Sequence, residues 1–352
     1  MILGRSSNPT TNEFDNIDFN ISTEACAYTE IISDATEELA ALESALYVAD
    51  VMLEEKALEG ATPEEMEVLL EGVMTSMYGR LKEVLKKLMA KVKQWFANVK
   101  KFFQILFSHG KDFAKKYRAD IVKAQARAKG FKYKTYDFNG GWGALLDMYD
   151  GKKILDIDPL DKADDILKNA KEGTSTTELV KQYMQTNHWG GGKFDSQAEY
   201  NKEVKEALYG GSFEREEFED FSKGPSVQDM LKVLEQGSKC IANIDKSERG
   251  IQNQCSKTLR EIEKAEREAA KEVKAGEKLS RRYSLATEIC KAVANAIIGG
   301  LDIYKEAIKT ATRDAESILK SLLRHKPAKE GFEGEEFDEG TESILESAFK
   351  LL

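Results

Sequence analysis

The sequence predicts a mostly α-helical protein with long helices, and three features indicate this class. The 352 residues include only five prolines, and 32 % of the residues are charged. Such a composition, rich in Ala, Leu, Glu and Lys, favours long helices over sheets. Apolar residues also recur at steps of three and four over long stretches, which is the period of an amphipathic helix. The length suffices for a sizeable core or for two or three smaller ones.

The charge is divided unevenly along the chain. Residues 1–79 hold 17 acidic and two basic residues, whereas residues 80–129 hold 15 basic and three acidic ones. The net charges of these segments are therefore −15 and +12, although the whole chain carries −10. Asymmetry of this kind indicates nucleic acid, an anionic surface or an internal electrostatic partner, and says little about catalysis.

Residues 1–60 are predicted to form an acidic arm followed by a helix. The first 20 residues are rich in Asn, Ser, Thr and Asp without periodicity, which is typical of an extended arm. Ser22 is a suitable N-cap for a helix over about 23–59, and Gly60 ends it. We expect the acidic leader, residues 1–79, to lie against the basic segment 80–129, because opposite charges of similar size adjoin in sequence.

Residues 61–129 form the basic segment. Thr62-Pro63-Glu64-Glu65 is a strong helix start, with a capping box and a proline at the first helical position. The helical pattern continues to about Lys129, with a break predicted near Gly72 or Gly79. On a helical wheel, one apolar stripe separates from the lysines and consists of Leu81, Leu85, Leu88, Val92, Trp95 or Phe96, Val99, Phe102 or Phe103, and Leu106.

Residues 130–224 are predicted to form a small mixed region with Gly-rich connectors. Apolar and polar residues alternate over 131–138, which favours a strand, and 153–157 is a candidate second strand. A small β-hairpin near 131–157 follows, with its turn at Asn139-Gly140-Gly141. Short helices are predicted at 160–171, 175–187 and 195–209.

Residues 225–324 are predicted to form an antiparallel helical hairpin. Apolar residues keep the same three–four spacing over 226–275 and 278–323, on either side of Gly276. Two such stripes indicate two long helices packed in a coiled-coil manner. Residues 325–352 then form an acidic tail that ends in a short apolar helix.

The basic helix is the candidate interaction site, and three interpretations stay open. The apolar stripe packs against other helices; or the lysines bind the backbone of a nucleic acid; or the aromatic residues seat the helix on a membrane surface. The residues on which these interpretations depend are Lys82, Lys86, Lys87, Lys93, Trp95, Lys100, Lys101, Phe102 and Phe103.

No catalytic, cofactor-binding or metal-ligating pattern is apparent, so we expect a non-enzymatic protein without a cofactor. The four cysteines are scattered and without a CxxC pair, which suits buried free thiols in a reducing compartment. We also expect neither a signal peptide nor a membrane span, because the start is polar and no apolar run reaches about 18 residues.

An acidic helical leader, a basic aromatic helix from Leu81 to Phe103 and a helical remainder resemble the layout of internal or structural virion proteins of large tailed bacteriophages. The resemblance implies a location in the virion after synthesis in the host cytoplasm, with other virion proteins and copies of the same chain as partners. It also implies processing after Glu in Leu/Ile-x-Glu sequences, for which Glu71 and Glu346 are the candidates.

The function predicted from these features is that of a virion structural protein inside the head or along the ejection route. It would act through charged and coiled-coil surfaces, with DNA or an anionic membrane as a partner of residues 80–129. A membrane-active protein that forms pores or remodels bilayers is the alternative, and a host-side coiled-coil scaffold is a third.

Overall fold

The structure is a computed structural model, and it describes residues 62–146, 155–171, 174, 178–180, 197–210, 213–219, 221–269 and 276–325. Most of these residues are helical, which confirms the predicted fold class. The helices are α1 (Pro63–Gln125), α2 (Trp142–Leu145), α3 (Pro159–Asn169), α4 (Gln197–Tyr209), α5 (Val227–Glu235), α6 (Ser238–Ala269) and α7 (Gly276–Arg324). Two short strands, β1 (Tyr133–Thr135) and β2 (Glu216–Phe218), complete the described elements.

Helix α1 begins at the predicted capping box and runs for 63 residues, about 95 Å. The Thr62 hydroxyl accepts a hydrogen bond from the Glu65 amide, and the Glu65 carboxylate accepts one from the Thr62 amide. The predicted break is wrong, since Gly72 and Gly79 both lie inside the continuous helix. A single glycine costs a helix only about 1 kcal/mol, which the buried side of a helix this long outweighs.

The three long helices α1, α6 and α7 form an up-down-up bundle. Lys82 meets Glu266 and Lys100 meets Glu248, so α1 and α6 are antiparallel. The Cys240 sulfur lies 3.2 Å from the Tyr304 hydroxyl, and the Thr258 hydroxyl lies 3.5 Å from the Cys290 sulfur. Helices α6 and α7 are therefore antiparallel too.

The predicted C-terminal hairpin is confirmed, with one correction to its first arm. Helix α7 starts at Gly276, close to the predicted turn, and covers the second arm. The first arm is divided, because α5 ends at Glu235 and α6 starts at Ser238. Ser226 and Asp229 form a second capping box that starts α5.

The strand predicted within 131–138 is present as β1, but its predicted partner is wrong. Strand β1 pairs with β2 in an antiparallel register that places Tyr133 opposite Phe218 and Thr135 opposite Glu216. In the candidate second strand at 153–157, Leu155 is helical and Asp156 lies in a turn. Alternation of apolar and polar residues identifies a strand but not its partner, and here the partner comes from about 80 residues further along the chain.

Shorter elements surround the bundle. Helices α3, α4 and α5 pack on α7, and α5 also packs on α1. The predicted short helices correspond to α3, α4 and a helical segment at 178–180. The helix expected at 23–59 and the tail's terminal helix lie outside the described residues. So does most of the acidic leader, but residues 63–79 continue directly into the basic part of α1 and do not lie against it, so the prediction is wrong for that part.

Candidate interaction face on the long basic helix

One side of α1 is buried from Met77 to Ile121, as the apolar stripe predicts. The buried residues of this side between 81 and 107 are Leu81, Val84, Leu85, Leu88, Val92, Trp95, Phe96, Val99, Phe102, Phe103, Leu106 and Phe107. Adjacent aromatic pairs such as Trp95 and Phe96, whose ring centroids lie 5.0 Å apart at 88°, are buried together. The buried side is therefore broad enough to include both Trp95 and Phe96, and both Phe102 and Phe103, between which the helical wheel did not decide.

The opposite side of α1 carries exposed cations, and we call it the outer face. Its exposed basic residues are Arg80, Lys86, Lys87, Lys93, Lys101, Lys111, Lys115, Lys116 and Lys123. From the first to the last of them α1 rises about 65 Å. The exposed acidic residues over the same length are Glu83, Asp112 and Asp120. The outer face is thus a long and strongly cationic surface.

Two of the predicted interaction residues belong to the packing instead. The Lys82 ammonium lies 2.6 Å from the Glu266 carboxylate, and the Lys100 ammonium lies 2.7 Å from Glu248 and 3.1 Å from Asp245. The hydrogen bond to Glu248, with a further one to Asp245, raises the pKa of Lys100. These lysines tie the edge of α1 to α6, whereas Lys86, Lys87, Lys93 and Lys101 lie on the outer face.

The three aromatic residues of the predicted site lie in the core. Trp95, Phe102 and Phe103 are all buried, and Phe103 stacks on Phe107 with centroids 5.7 Å apart. Burying each such ring contributes roughly 2 kcal/mol or more to folding. The residues that would seat α1 on a membrane are occupied by protein contacts in this structure.

Sequence reasoning missed a buried carboxylate that joins the sheet to α7. Asp314 accepts hydrogen bonds from the Thr135 hydroxyl at 2.6 Å and from the Arg215 guanidinium at 2.7 Å. Burial raises the pKa of Asp314 above its ordinary value, although both partners favour the charged form. No local signal marks this residue, because its partners lie 99 and 179 positions away in the sequence.

The two candidate processing positions differ in what the structure shows. Glu71 lies within the continuous helix α1, where the backbone is not extended. Glu346 lies outside the described residues.

One described stretch, Arg281–Arg324 of α7, is long and apolar enough to cross a bilayer. Its most apolar window is 89 % buried among the other helices, as the core helix of a bundle is. In the part of the chain that the structure describes, no group of three or more His, Cys, Asp or Glu side chains is placed to hold a metal ion.

Comparisons with known proteins identify no relative of this chain. No family model, no curated protein and no solved structure matches this chain.

Proposed function

We propose that the protein is a non-enzymatic structural protein that binds the phosphate backbone of DNA through the outer face of α1, inside the particle of a large phage. The observation that supports DNA over a membrane is the division of α1 into a buried aromatic side and an exposed cationic side. Phosphate contacts need exposed lysines and no insertion of apolar groups. The phage context rests on the resemblance in layout.

A surface of this kind would bind without reading sequence. Lysines are flexible point charges, and a row of them on one helix face contacts phosphates but carries few groups that distinguish base edges. The affinity would therefore be strongly salt-dependent and nearly the same for unrelated DNA sequences. A structural protein of a packed genome requires this behaviour.

The decisive experiment compares two variants of the full-length protein, each with four lysines changed to Gln. The first changes Lys86, Lys93, Lys101 and Lys115 on the outer face to Gln. The matched control changes Lys168, Lys202, Lys246 and Lys264, which are also exposed but lie on other helices. Both variants lose the same charge, so a large difference in DNA affinity between them reports where on the protein the charge was lost.

Binding to a 30-base-pair duplex is measured by fluorescence anisotropy from about 50 to 300 mM salt. We expect the outer-face variant to lose about 10- to 100-fold in affinity and to reduce the slope of log K against log salt by about 3 to 4. We expect the control to change both values far less. Equal losses in the two variants, or wild-type binding that does not respond to salt, would contradict the proposal.

Anionic liposomes are the competing probe. Binding that survives high salt and requires Trp95 and Phe103 would support the membrane-active alternative, because apolar insertion is screened little by salt. It would also require the bundle to open, since both side chains are buried.

The acidic leader supplies a further test. Residues 1–61 hold 13 acidic and two basic residues, so their removal takes away a net charge of −11. We expect the chain 62–352, which keeps the Thr62 cap, to bind DNA more tightly at low salt than the full chain does. Unchanged affinity would contradict the expected masking.

Two further measurements test the rest of the proposal. Mass spectrometry of purified phage particles tests the location, and light scattering tests the predicted homo-oligomer.

A further inference from the structure

The seam between α6 and α7 holds two neighbouring thiols. Cys255 on α6 and Cys290 on α7 are both free and completely buried. Thr258, one helical turn after Cys255 on α6, has its hydroxyl 3.5 Å from the Cys290 sulfur, so the two thiols are neighbours across the seam. Cys240, the third described cysteine, contacts Tyr304 instead. It lies near the start of α6, 15 residues or about 22 Å before Cys255.

A chain of hydrogen bonds orients this pair of thiols. The Thr258 hydroxyl donates its hydrogen to the Gln254 carbonyl oxygen at 3.0 Å, so its oxygen is left to accept from the Cys290 thiol at 3.5 Å. The hydrogen bond to Cys290, together with burial, raises the pKa of Cys255 well above its ordinary value. The Cys255 thiol is thus held protonated, and it reacts more slowly than an exposed cysteine does.

We infer that Cys255 and Cys290 are an oxidisable dithiol that closes into a disulfide bond joining α6 to α7. The placement of the two thiols on facing helices, fixed by the contact of Thr258 with Cys290, and their complete burial together carry this inference. It does not depend on the proposed DNA binding. A metal site is a poor alternative, because the described part of the chain offers no third ligand beside the pair.

A peroxide is the class of oxidant that suits so enclosed a site, because it is small and uncharged. One thiol gives up its proton and attacks a peroxide oxygen, so that an S–O bond forms as the O–O bond breaks. The sulfur becomes a sulfenic acid, and with hydrogen peroxide the leaving oxygen takes up the proton and departs as water. The second thiol then displaces the hydroxyl group from the sulfenic sulfur, which forms the disulfide bond and a second water. One peroxide molecule thereby gains two electrons, and the two thiols are oxidised by two electrons.

The bond would act as a brace across the hairpin. It would join α6 to α7 at positions well separated in sequence from the residues that link the two helices. The bond would therefore reduce the conformational freedom of the unfolded chain more than that of the folded one. A protein that passes from a reducing to an oxidising compartment would gain this brace without any change in its bundle.

The test treats the full-length protein with hydrogen peroxide, blocks the remaining thiols and maps disulfides by mass spectrometry of a non-reduced digest. We expect a cross-linked peptide that contains Cys255 and Cys290, with a rise in Tm of about 5 °C that dithiothreitol reverses. Cys240→Ser, the matched control, should keep both effects. Cys255→Ser and Cys290→Ser should each abolish them.

Recovery of Cys255 and Cys290 as unmodified thiols or sulfinic acids, under conditions that oxidise an added reference dithiol peptide, would overturn the inference. A dominant cross-link to Cys240 or to Cys26 would overturn it as well. If a serine variant does not fold, the peptide maps of the wild type and of Cys240→Ser still decide between these outcomes.

Discussion

Helices α1 and α7 are the two longest in the described structure and run in the same direction, yet they differ in how much of their surface is buried. Tyr78 lies against Tyr283 and Phe113 against Lys320, which fixes their parallel register. Helix α1 buries one broad side and leaves the other to solvent. In α7 every residue from 283 to 294 is buried, and α1, α3, α4, α5 and α6 all pack on this helix.

This difference shows what apolar spacing can and cannot report. On α1 the spacing separates the two sides correctly, since an amphipathic helix at a surface has one apolar side. On α7 the same spacing marks only the most apolar line of a helix that is buried on all sides over residues 283–294. Polar residues between those positions, Ser284, Thr287, Glu288 and Lys291, are buried as well. The environment of α7 is decided by its neighbours.

The largest effect is expected on the buried side of α1. Phe103→Ala should lower the free energy of unfolding by about 3–5 kcal/mol, because the ring is completely buried and its loss leaves a cavity. Trp95→Ala should have a cost of the same order. Lys101→Ala on the outer face is the control and should change stability by no more than about 0.5 kcal/mol.

Urea denaturation of the three variants measures these differences. Similar stabilities for Phe103→Ala and Lys101→Ala would mean that α1 does not have one buried and one exposed side. A folded Trp95→Ala protein with unchanged stability but lost liposome binding would support the membrane alternative.

The next effect concerns the buried ion pair of α7. The Lys291 ammonium lies 3.0 Å from the Glu288 carboxylate, and both side chains are at least nine-tenths buried. Lys291→Met leaves the carboxylate without this partner and should destabilise the protein by about 2–3 kcal/mol. The double variant Glu288→Gln/Lys291→Met should cost less than the sum of its single changes.

The exposed pair Lys202–Glu206 on α4 is the matched control, with side chains 71 % and 47 % exposed. Lys202→Met should change stability by about 0.5 kcal/mol or less. An equally small effect of Lys291→Met would argue against a fully enclosed α7.

Much of the fold follows from local sequence signals, and the exceptions have a common cause. The Thr62 cap and the strand at 133–135 follow from a few adjacent residues, and the hairpin around Gly276 follows from a periodic spacing within each of its two arms. The pairing of β1 with β2 and the contacts of Asp314 depend on residues far away in the sequence. Long-range partners leave no local periodicity, so sequence reasoning could not supply them.

The candidate site shows the same division. The cationic and aromatic character of α1 was predictable from its composition, and so was the separation of the two on a wheel. What could not be predicted is that Lys82 and Lys100 serve the packing, because their acidic partners lie on α6. The outer face is defined only after those two residues are assigned to the bundle.

A smaller effect is expected at two glycines that differ in their surroundings. A Cβ atom on Gly237, at the junction of α5 and α6, would lie 1.9 Å from the Phe107 ring of α1. Gly237→Ala should therefore destabilise the protein by about 1–3 kcal/mol. Gly79 lies within α1 with open space around it, so Gly79→Ala should stabilise by about 0.5–1 kcal/mol.

Thermal unfolding of both variants gives the sign directly. The opposite signs are the point of the comparison, since the same added methyl group meets solvent in α1 and an aromatic ring at the junction. Destabilisation by Gly79→Ala would show that α1 is not a regular helix at that residue.

The smallest effect is a difference in pH dependence between two carboxylates. Burial raises the pKa of Asp314 on α7 above 3.8. Burial also acts to raise the pKa of Asp158, but hydrogen bonds from the Lys257 ammonium and the Leu160 amide outweigh it, and the pKa is lowered. Asp158 is the N-cap of α3, where a negative charge is favourable.

The two shifts have opposite consequences for stability. Above pH 3.8 the folded state holds the Asp314 proton more tightly than the unfolded chain does, so this carboxyl stabilises less as the pH rises through its raised pKa. Asp158 contributes stability that is present above the unfolded pKa and is lost as the pH falls through its lowered pKa. Relative to Asp314→Asn, wild-type stability should therefore decline from about pH 4 toward neutrality, whereas relative to Asp158→Asn it should increase. Unfolding free energies of the three proteins between about pH 3 and 7 measure both slopes, and slopes of the same sign would show that the enclosure of α7 does not reach Asp314.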